Sequence, residues 1–522
     1  MNLRLNGMTR PAVDDELTRL GRHAERYRLF KPVVAKLRTF VGSRPRLEAR
    51  LRPPALRLAV SLRPSFRIFY IATRQATRSV AGWAAWPGNV WAFGRAWFSF
   101  NRLGVGGRPV GRQIVMLVIA DIRFDPRVER EARVLAAGGF QVHVIWTDPQ
   151  WNGSSCTAVD WEERITFEAL PMSAARFSEQ FPGFLGRDML KAAQAHEPFA
   201  FHAHDLNTAL IALTAARQSG AHVVCDFHEW YSENVTWSPL RGVYRSHSRA
   251  RRAAYRWLER LCFQHASDLV TVCQSIADEM SQTLGDGSRK VAVIRNIPDR
   301  TLVASRPYPS LKQQFGIPSD RFTLLWQGGI GPSRMIEPVI EALAHAPQCT
   351  FVIRGPEIET YGPGYARLAA RVGASDRLIL APAVPSKDVV SAARGADAGI
   401  WTLPNLCKNF TYALPNKIFE YLSSGLPVLV AHYPEARRLV DTHRVGLIFD
   451  PYDPRSIAAA INRLAGDMAL RNQCAANTST ALANMDAAVE WEKLAALYDC
   501  LPRTPESSAP EVDESAGRPV CL

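Results

Sequence analysis

The chain has 522 residues, 47% of them hydrophobic, too many for one domain and, at about 150 residues each, enough for two to four. Its formal net charge is +14, but residues 1–110 hold 21 of the basic and only 5 of the acidic side chains, so the rest is close to neutral. A basic arm on a balanced body argues for an anionic partner at one end, and nine scattered cysteines with no C-x-x-C pair show neither a disulfide framework nor metal-ligand spacing, which favours a reducing compartment.

Residues 1–50 read as helix and loop with arginines throughout, and residues 51–100 as amphipathic stretches in which Leu56, Val60 and Leu62 alternate with Arg57 and Arg63. Trp83, Trp86, Trp91 and Trp97 follow, with Phe93, Phe98 and Phe100. Tryptophan favours the membrane–water interface and arginine pairs with anionic headgroups. Two readings stand: a monotopic anchor in one leaflet, or a helical extension packed on the body. The first 30 residues lack an apolar signal region, and no run of 18 apolar residues predicts a spanning helix.

At Gln113 the pattern changes. Ile114–Ala120 is an apolar run suited to a buried parallel strand. Asp125 and Pro126 supply a helix N-cap and first-turn proline, Val128, Ala132, Leu135 and Ala136 its buried stripe, and Gly138-Gly139 its stop. Val142–Trp146 is the next strand. A second βαβ unit follows: strand Phe199–His202, helix Asn207–Gln218 stopped by Gly220, and strand His222–Phe227. Leu269–Val272 and Val291–Ile294 extend the sheet. Tyr244–His265 reads as one basic helix, carrying Arg245, Arg249, Arg251, Arg252, Arg256 and Arg260; its basic side is either a solvated face or one turned to a membrane. Cys225, Cys262 and Cys273 serve as small apolar residues.

Pro298, Pro307 and Pro309 mark a boundary between residues 296 and 309. A second αβ series then runs through Phe322–Trp326, Phe351–Arg354, Leu378–Leu380, Gly399–Trp401, Val428–Ala431 and Gly446–Phe449. The expected organisation is a basic N-terminal extension (1–110), a first Rossmann-like domain (111–300), a second (301–480), a helix that packs back on the first domain (481–502), and a disordered tail (503–522).

The chemistry sits just after strands, where open αβ sheets bind ligands. Leu414-Pro-Asn-Lys-Ile-Phe-Glu-Tyr-Leu-Ser-Ser-Gly-Leu-Pro-Val428 opens a helix with its proline, whose missing N–H costs nothing in a first turn, and closes it at Gly425. Its N-terminus presents Asn416 and Lys417, a seat for phosphate, and Glu420 lies one turn on, placed for hydroxyls such as those of a ribose. Gly328 and Gly329 follow a strand and precede Arg334; glycines admit a phosphate to the backbone and the arginine adds a charged fork. In the first half lie Phe201-His202-Ala203-His204-Asp205, Asp226-Phe227-His228-Glu229, and a loop with Asp121 and Arg123. No P-loop and no G-x-S-x-G elbow is present.

In their order these strings resemble the family-4 group of GT-B glycosyltransferases, over about residues 113–500. The resemblance implies an α/β fold of two doubly wound Rossmann-like domains facing across a cleft, with the basic extension outside it. It implies transfer of a sugar from a nucleoside diphosphate-sugar to a saccharide or lipid-linked acceptor, with retention of configuration. The donor site is then Gly328, Gly329, Arg334, Asn416, Lys417 and Glu420, with Glu420 at the ribose. His204 takes a catalytic, orienting role facing the donor sugar, together with Glu420. Asp121 and Arg123 contact acceptor or interdomain groups, and His228 and Glu229 either position the acceptor or brace the cleft wall. No metal and no separate cofactor is expected. Two positions depart from the family: Gly329 stands where an arginine is usual, and Tyr412 where the first of two spaced glutamates is usual. Rival readings are an epimerase of the same fold, a scaffold that has lost transfer, and a nucleic-acid binder using the arm; the tryptophan cluster fits a lipid interface better than a groove tracking phosphates, so no nucleic-acid partner is expected. The expected location is cytoplasmic, peripheral on the inner face of the cell membrane.

Overall fold

The structure is a computed structural model and describes residues 111–502 except 152–160, 162, 172–185, 239–242, 298–307, 386–387 and 486. The expectations for the basic extension and for the acidic tail fall outside the described residues.

The first domain opens with β1 (Gln113–Val118), whose Ile114 to Val118 are at most 2% exposed. A strand buried on both faces needs helices above and below it. Helix α1 (Pro126–Ala137) supplies one: Asp125 caps it by accepting from Arg127 N and Val128 N, and Pro126 occupies the first turn. Then come β2 (Gln141–Asp148), β3 (Ile165–Pro171), α2 (Arg187–Gln194), β4 (Ala200–His204), α3 (Asp205–Ser219) and β5 (His222–Phe227). A short antiparallel hairpin, β6 (Val235–Ser238) with β7 (Val243–Ser246), leads to α4 (Arg249–His265), β8 (Asp268–Thr271), α5 (Gln274–Leu284) and β9 (Ala292–Val293). The other seven strands form one parallel sheet in the order β3-β2-β1-β4-β5-β8-β9.

Several boundaries differ from the sequence reading, for local reasons. The strand expected to end at His202 continues to His204, so both histidines lie within β4 and, two residues apart, on the same face. The basic helix starts at Arg249, because Ser248 caps it by accepting from Arg251 N and the preceding residues pair across the hairpin. Edge strand β3, helix α2 and the hairpin went unread, being short and flanked by weakly patterned segments.

The second domain comprises α6 (Leu311–Phe315), β10 (Phe322–Gln327), α7 (Glu337–Ala342), β11 (Cys349–Gly355), α8 (Ile358–Arg371), β12 (Leu378–Pro382), α9 (Val389–Ala392), β13 (Ala398–Trp401), α10 (Lys408–Thr411), α11 (Asn416–Ser423), β14 (Val428–Ala431), α12 (Pro434–His443), β15 (Gly446–Phe449) and α13 (Pro454–Gly466). Its six strands are parallel, in the order β12-β11-β10-β13-β14-β15. Two helices end the described chain, α14 (Met468–Asn484) and α15 (Ala487–Asp499). The last returns to the first domain: the Trp491 ring lies 5.8 Å from the Arg127 guanidinium and 5.6 Å from that of Arg130, both on α1. Among the described residues no helix is long and apolar enough to cross a membrane.

The domains meet through segments beyond the carboxyl ends of their strands. Trp230 N–H, after β5, donates to Asn409 Oδ1 at 2.8 Å. Cys273 Sγ, after β8, donates to the Tyr412 carbonyl at 3.1 Å. Ser275 N–H donates to Glu435 Oε1 at 2.7 Å. The two sets of strand ends therefore face one another across a shared cleft.

Candidate functional site

On the second domain, α11 is set by its ends. Pro415 is the residue before its first turn, rather than inside it as the sequence suggested, and leaves Asn416 as the first helical residue. At the other end Gly425 turns left-handed at φ +74°. There Leu426 N–H donates to Tyr421 O and Gly425 N–H to Leu422 O, both at 2.9 Å, which satisfies the last carbonyls. With the helix so fixed, Lys417 places its ammonium 4.0 Å from the Trp326 ring centroid, over the end of β10. Gly328 has φ +114°, and a Cβ there would stand 3.4 Å from both Lys417 Cε and Nζ. The glycine thus gives the turn its left-handed backbone and leaves the lysine room. A Cβ at Gly329 would lie 3.4 Å from Arg334 Nε, so the Arg334 guanidinium occupies the space beside Gly329.

These side chains sense each other electrostatically. Burial and the Arg334 charge pull Lys417 down to about 7, against the opposing Glu420 carboxylate. Burial raises Glu420, opposed by Lys417 and by Arg130 from the first domain. Glu229, also of the first domain, is raised by burial and by Asp205, with His228 and Arg334 opposing. Arg334, Lys417 and Glu420 therefore converge on the interdomain cleft, with Glu229 and Arg130 acting on them from the other wall. Arg130 was not read as a site residue; its signal was a cation on the helix after β1, one turn beyond the cap.

The first domain holds a buried charge network beneath its wall of the cleft. Arg127 forks onto Asp226, Nε to Oδ2 at 2.9 Å and Nη2 to Oδ1 at 2.8 Å, and lies 2.9 Å from Glu131 Oε1. Burial opposes ionisation of Asp226, but the Arg127 and His228 charges outweigh it and hold the carboxyl well below its usual range. His228 Nε2 donates to Asp226 Oδ2 at 2.9 Å, and its Nδ1 lies 3.6 Å from Asp205 Oδ2. Against burial, these two carboxylates push His228 up to about 10. His202 meets Tyr498 OH at 2.7 Å and Glu131 Oε2 at 3.1 Å; hydrogen bonding to Asp226 and Glu131 overcomes its burial and pushes it up to about 9. His204 is the exception. Burial, then the neighbouring His202 and His228 charges, drive it well below the ordinary imidazole value, so it is neutral.

His204, expected to face the donor sugar, is only 3% exposed. The histidine with access is His228, whose side chain is 22% exposed and stands beside His204, 3.4 Å from His204 Nδ1. Asp121 and Arg123 are brought together with each other and with Asp148, at 2.7 and 2.9 Å, instead of with the Lys417 group. Asp205 turns the chain from β4 into α3 at φ +63°, a costly conformation for a side chain, and there accepts from His228 N–H at 3.0 Å. Arg127, Glu131 and Tyr498 were missed; Arg127 and Glu131 showed only as two charges one turn apart alongside an apolar stripe.

Comparison with known proteins adds the following. The family described as "Glycosyl transferase 4-like domain" matches residues 125–296, and "Glycosyl transferases group 1" matches residues 308–480. The chain is 25% identical over 289 residues to D-inositol 3-phosphate glycosyltransferase of Thermobispora bispora, covering 48% of this chain and 64% of that one, so it spans a little under two thirds of that relative. In structure it resembles sucrose-phosphate synthase from Thermosynechococcus elongatus, with TM-score 0.58, 16% identity, and 74% and 98% of the two chains covered. It also resembles HepE from Anabaena in complex with UDP and glucose, with TM-score 0.56, 19% identity, and 75% and 100% covered. At these identities the structures establish the fold, two Rossmann-like domains of the GT-B kind.

Proposed function

The chain belongs to the group 1, family-4 type of GT-B glycosyltransferases, and on that premise we propose that it moves a sugar from a nucleoside diphosphate-sugar to a saccharide or lipid-linked acceptor. The observation that carries this is the cation pair at the amino end of α11, Lys417 beside Arg334, held over the glycine turn after β10. A leaving diphosphate needs its growing charge neutralised, and two fixed cations with a helix N-terminus do this without reorganisation. In this reading the chain's own cations, rather than a metal ion, meet the phosphates. Arg334 stands in for the arginine absent at Gly329. Glu420, three residues beyond Lys417, takes the ribose hydroxyls, and Asn416 closes the phosphate seat.

The acceptor enters from the first domain. Glu229, with one oxygen held 2.6 Å from Asn234 Nδ2, orients the acceptor hydroxyl. His228, kept charged by Asp205 and Asp226, fixes the loop that carries Glu229. Neutral, buried His204 supports His228 from behind and does not touch the sugar. Transfer with retention follows from family type and is part of this proposal. So is a peripheral position on the inner face of the membrane, which the exposed Arg245, Arg249, Arg252 and Arg260 favour by their attraction to anionic lipid; flotation with anionic but not neutral vesicles is the expected behaviour, and equal flotation with both counts against it.

The test is a thermal-shift screen of nucleoside diphosphates and their sugars, begun with UDP and UDP-glucose. A ligand selective for the folded chain raises Tm. At least one diphosphate is expected to do so in the wild type and to fail with Lys417→Ala, while transfer drops at least tenfold in Glu420→Gln. No response to any diphosphate, or undiminished transfer by both variants, sinks the assignment.

A further inference from the structure

The outer edge of the first sheet carries a second group of ligating side chains. His143 is the third residue of β2, Glu168 the fourth of β3, and His196 lies in the turn between α2 and β4. One possible ligand atom from each lies within 4.8 Å of the other two. The sheet makes this meeting: Thr166 pairs with His143 in the parallel register, and Glu168, two residues on, shares its face.

When His143 Nδ1 donates to Thr166 Oγ1, 2.7 Å away, and that hydroxyl turns its own proton to the Val142 carbonyl at 3.4 Å, Nε2 is left with a lone pair. That Nε2 is shielded from solvent and has no hydrogen-bond partner among the described residues. It faces Glu168 Oε2 at 3.8 Å, and the His196 ring centroid is 4.5 Å from its own. Three electron-pair donors thus converge with nothing acidic between them. Metal-bound histidines show the same pattern, with the second ring N–H given to a neighbouring oxygen.

We propose that His143, His196 and Glu168 bind a divalent transition-metal ion of the zinc class, through His143 Nε2, one imidazole nitrogen of His196 and a Glu168 oxygen, with water in the fourth position. Imidazole with carboxylate suits zinc, cobalt or nickel better than calcium or magnesium. Bonds of about 2.0–2.2 Å place tetrahedral ligand atoms about 3.4 Å apart, so the site closes by about an ångström, which Glu168, 40% exposed, has the freedom to supply. The buried group Glu131, His202, His204 and Asp226 is no rival, because the Arg127 cation already lies against both of its carboxylates. The ion ties edge strand β3 to β2 and to the turn before β4. It sits away from the cleft, toward the amino end of β2, and so acts on the stability of the acceptor domain.

The test uses the full chain, stripped with a chelator and titrated with Zn²⁺ and Co²⁺ by calorimetry, with Co²⁺ absorption reporting coordination geometry. One ion per chain at about micromolar affinity or tighter, tetrahedral Co²⁺ bands and a Zn²⁺-dependent rise in Tm are expected. Affinity should fall at least tenfold in both His196→Ala and Glu168→Gln. Both side chains are part-exposed, and the metal-free Tm of each variant controls for folding; His196→Gln replaces His196→Ala if that control fails. Wild-type binding only at millimolar Zn²⁺, or variants that bind as tightly as the wild type, overturns the site.

Discussion

Lys417 combines two properties that give it a pH signature. Burial and Arg334 hold its free-state pKa at about 7, whereas a bound diphosphate, carrying negative charge to the ammonium, raises it. Binding above pH 7 therefore takes up a proton. The sign follows directly: a free lysine that is neutral at pH 8 or 9 must be protonated at a cost, so diphosphate affinity weakens by up to about tenfold per pH unit above 7, until the bound-state pKa is passed. Calorimetry at pH 7, 8 and 9, in buffers of different ionisation heat, reads both the slope and the proton uptake. Lys417→Arg, charged throughout this range, is expected to flatten the slope; an unchanged slope in that variant assigns the titration elsewhere. At this scale the sequence was half legible. Arg334, Lys417 and Glu420 stood out because each follows a strand within a spaced string, and they do converge. Whether His204 or His228 reaches the cleft was hidden, because both follow a strand within similar strings and only the twist and depth of β4 against β5 decide which is covered. Arg127, Glu131 and Tyr498 were harder still: the contact of Tyr498 with His202 spans 296 residues, and no local pattern announces it.

Helix α11 delivers Lys417 only if it is seated correctly on the sheet, and one close approach does the seating. A Cβ at Gly399, in β13, would fall 2.2 Å from Tyr421 Cγ, so the ring of Tyr421 lies directly on that strand. Its hydroxyl accepts from Gln327 N–H at 2.8 Å, which joins the helix to β10 as well. The ring cannot yield without lifting the helix. Gly399→Ala is accordingly expected to destabilise the fold by about 2–3 kcal/mol, read as a lower Tm, and to weaken diphosphate binding in the fraction that stays folded. A variant that keeps wild-type Tm shows that the helix can shift freely. The elements themselves were largely readable. β14 and β15 fall where the apolar runs placed them, since each is a short β-branched or apolar stretch between clear turn residues. The start of α4 was misread because arginine carries no sign of whether its backbone is helix or hairpin, and Ser248, the cap, was the signal that separated them.

In the proposed reading the donor seat lies in one domain and the acceptor wall in the other, so binding and transfer have different structural requirements. Among the contacts that hold the two together, Glu435 is 4% exposed and accepts from Ser275 N–H at 2.7 Å and from Ser275 Oγ–H at 2.6 Å. Glu435 belongs to α12 of the second domain and Ser275 to α5 of the first, and neither touches the Lys417 group in the described contacts. Removing the carboxylate leaves a part-buried N–H unpaired and loosens the relative placement of the two walls. A misplacement of about an ångström between reacting groups costs transfer as much as 100-fold, because positioning supplies much of the rate. In the proposed reading the groups that meet the diphosphate, Arg334, Lys417 and the amino end of α11, all belong to the second domain, so diphosphate affinity is largely spared. Glu435→Ala is therefore expected to hold its nucleotide Kd within about threefold while kcat/KM for transfer falls roughly 10–100-fold. A parallel loss of both would place the effect of Glu435 inside the donor domain, and no loss of either would show that the other contacts between the domains, among them Trp230 with Asn409, Cys273 with Tyr412 and Lys408 with Glu279, are enough to hold the cleft in its working geometry.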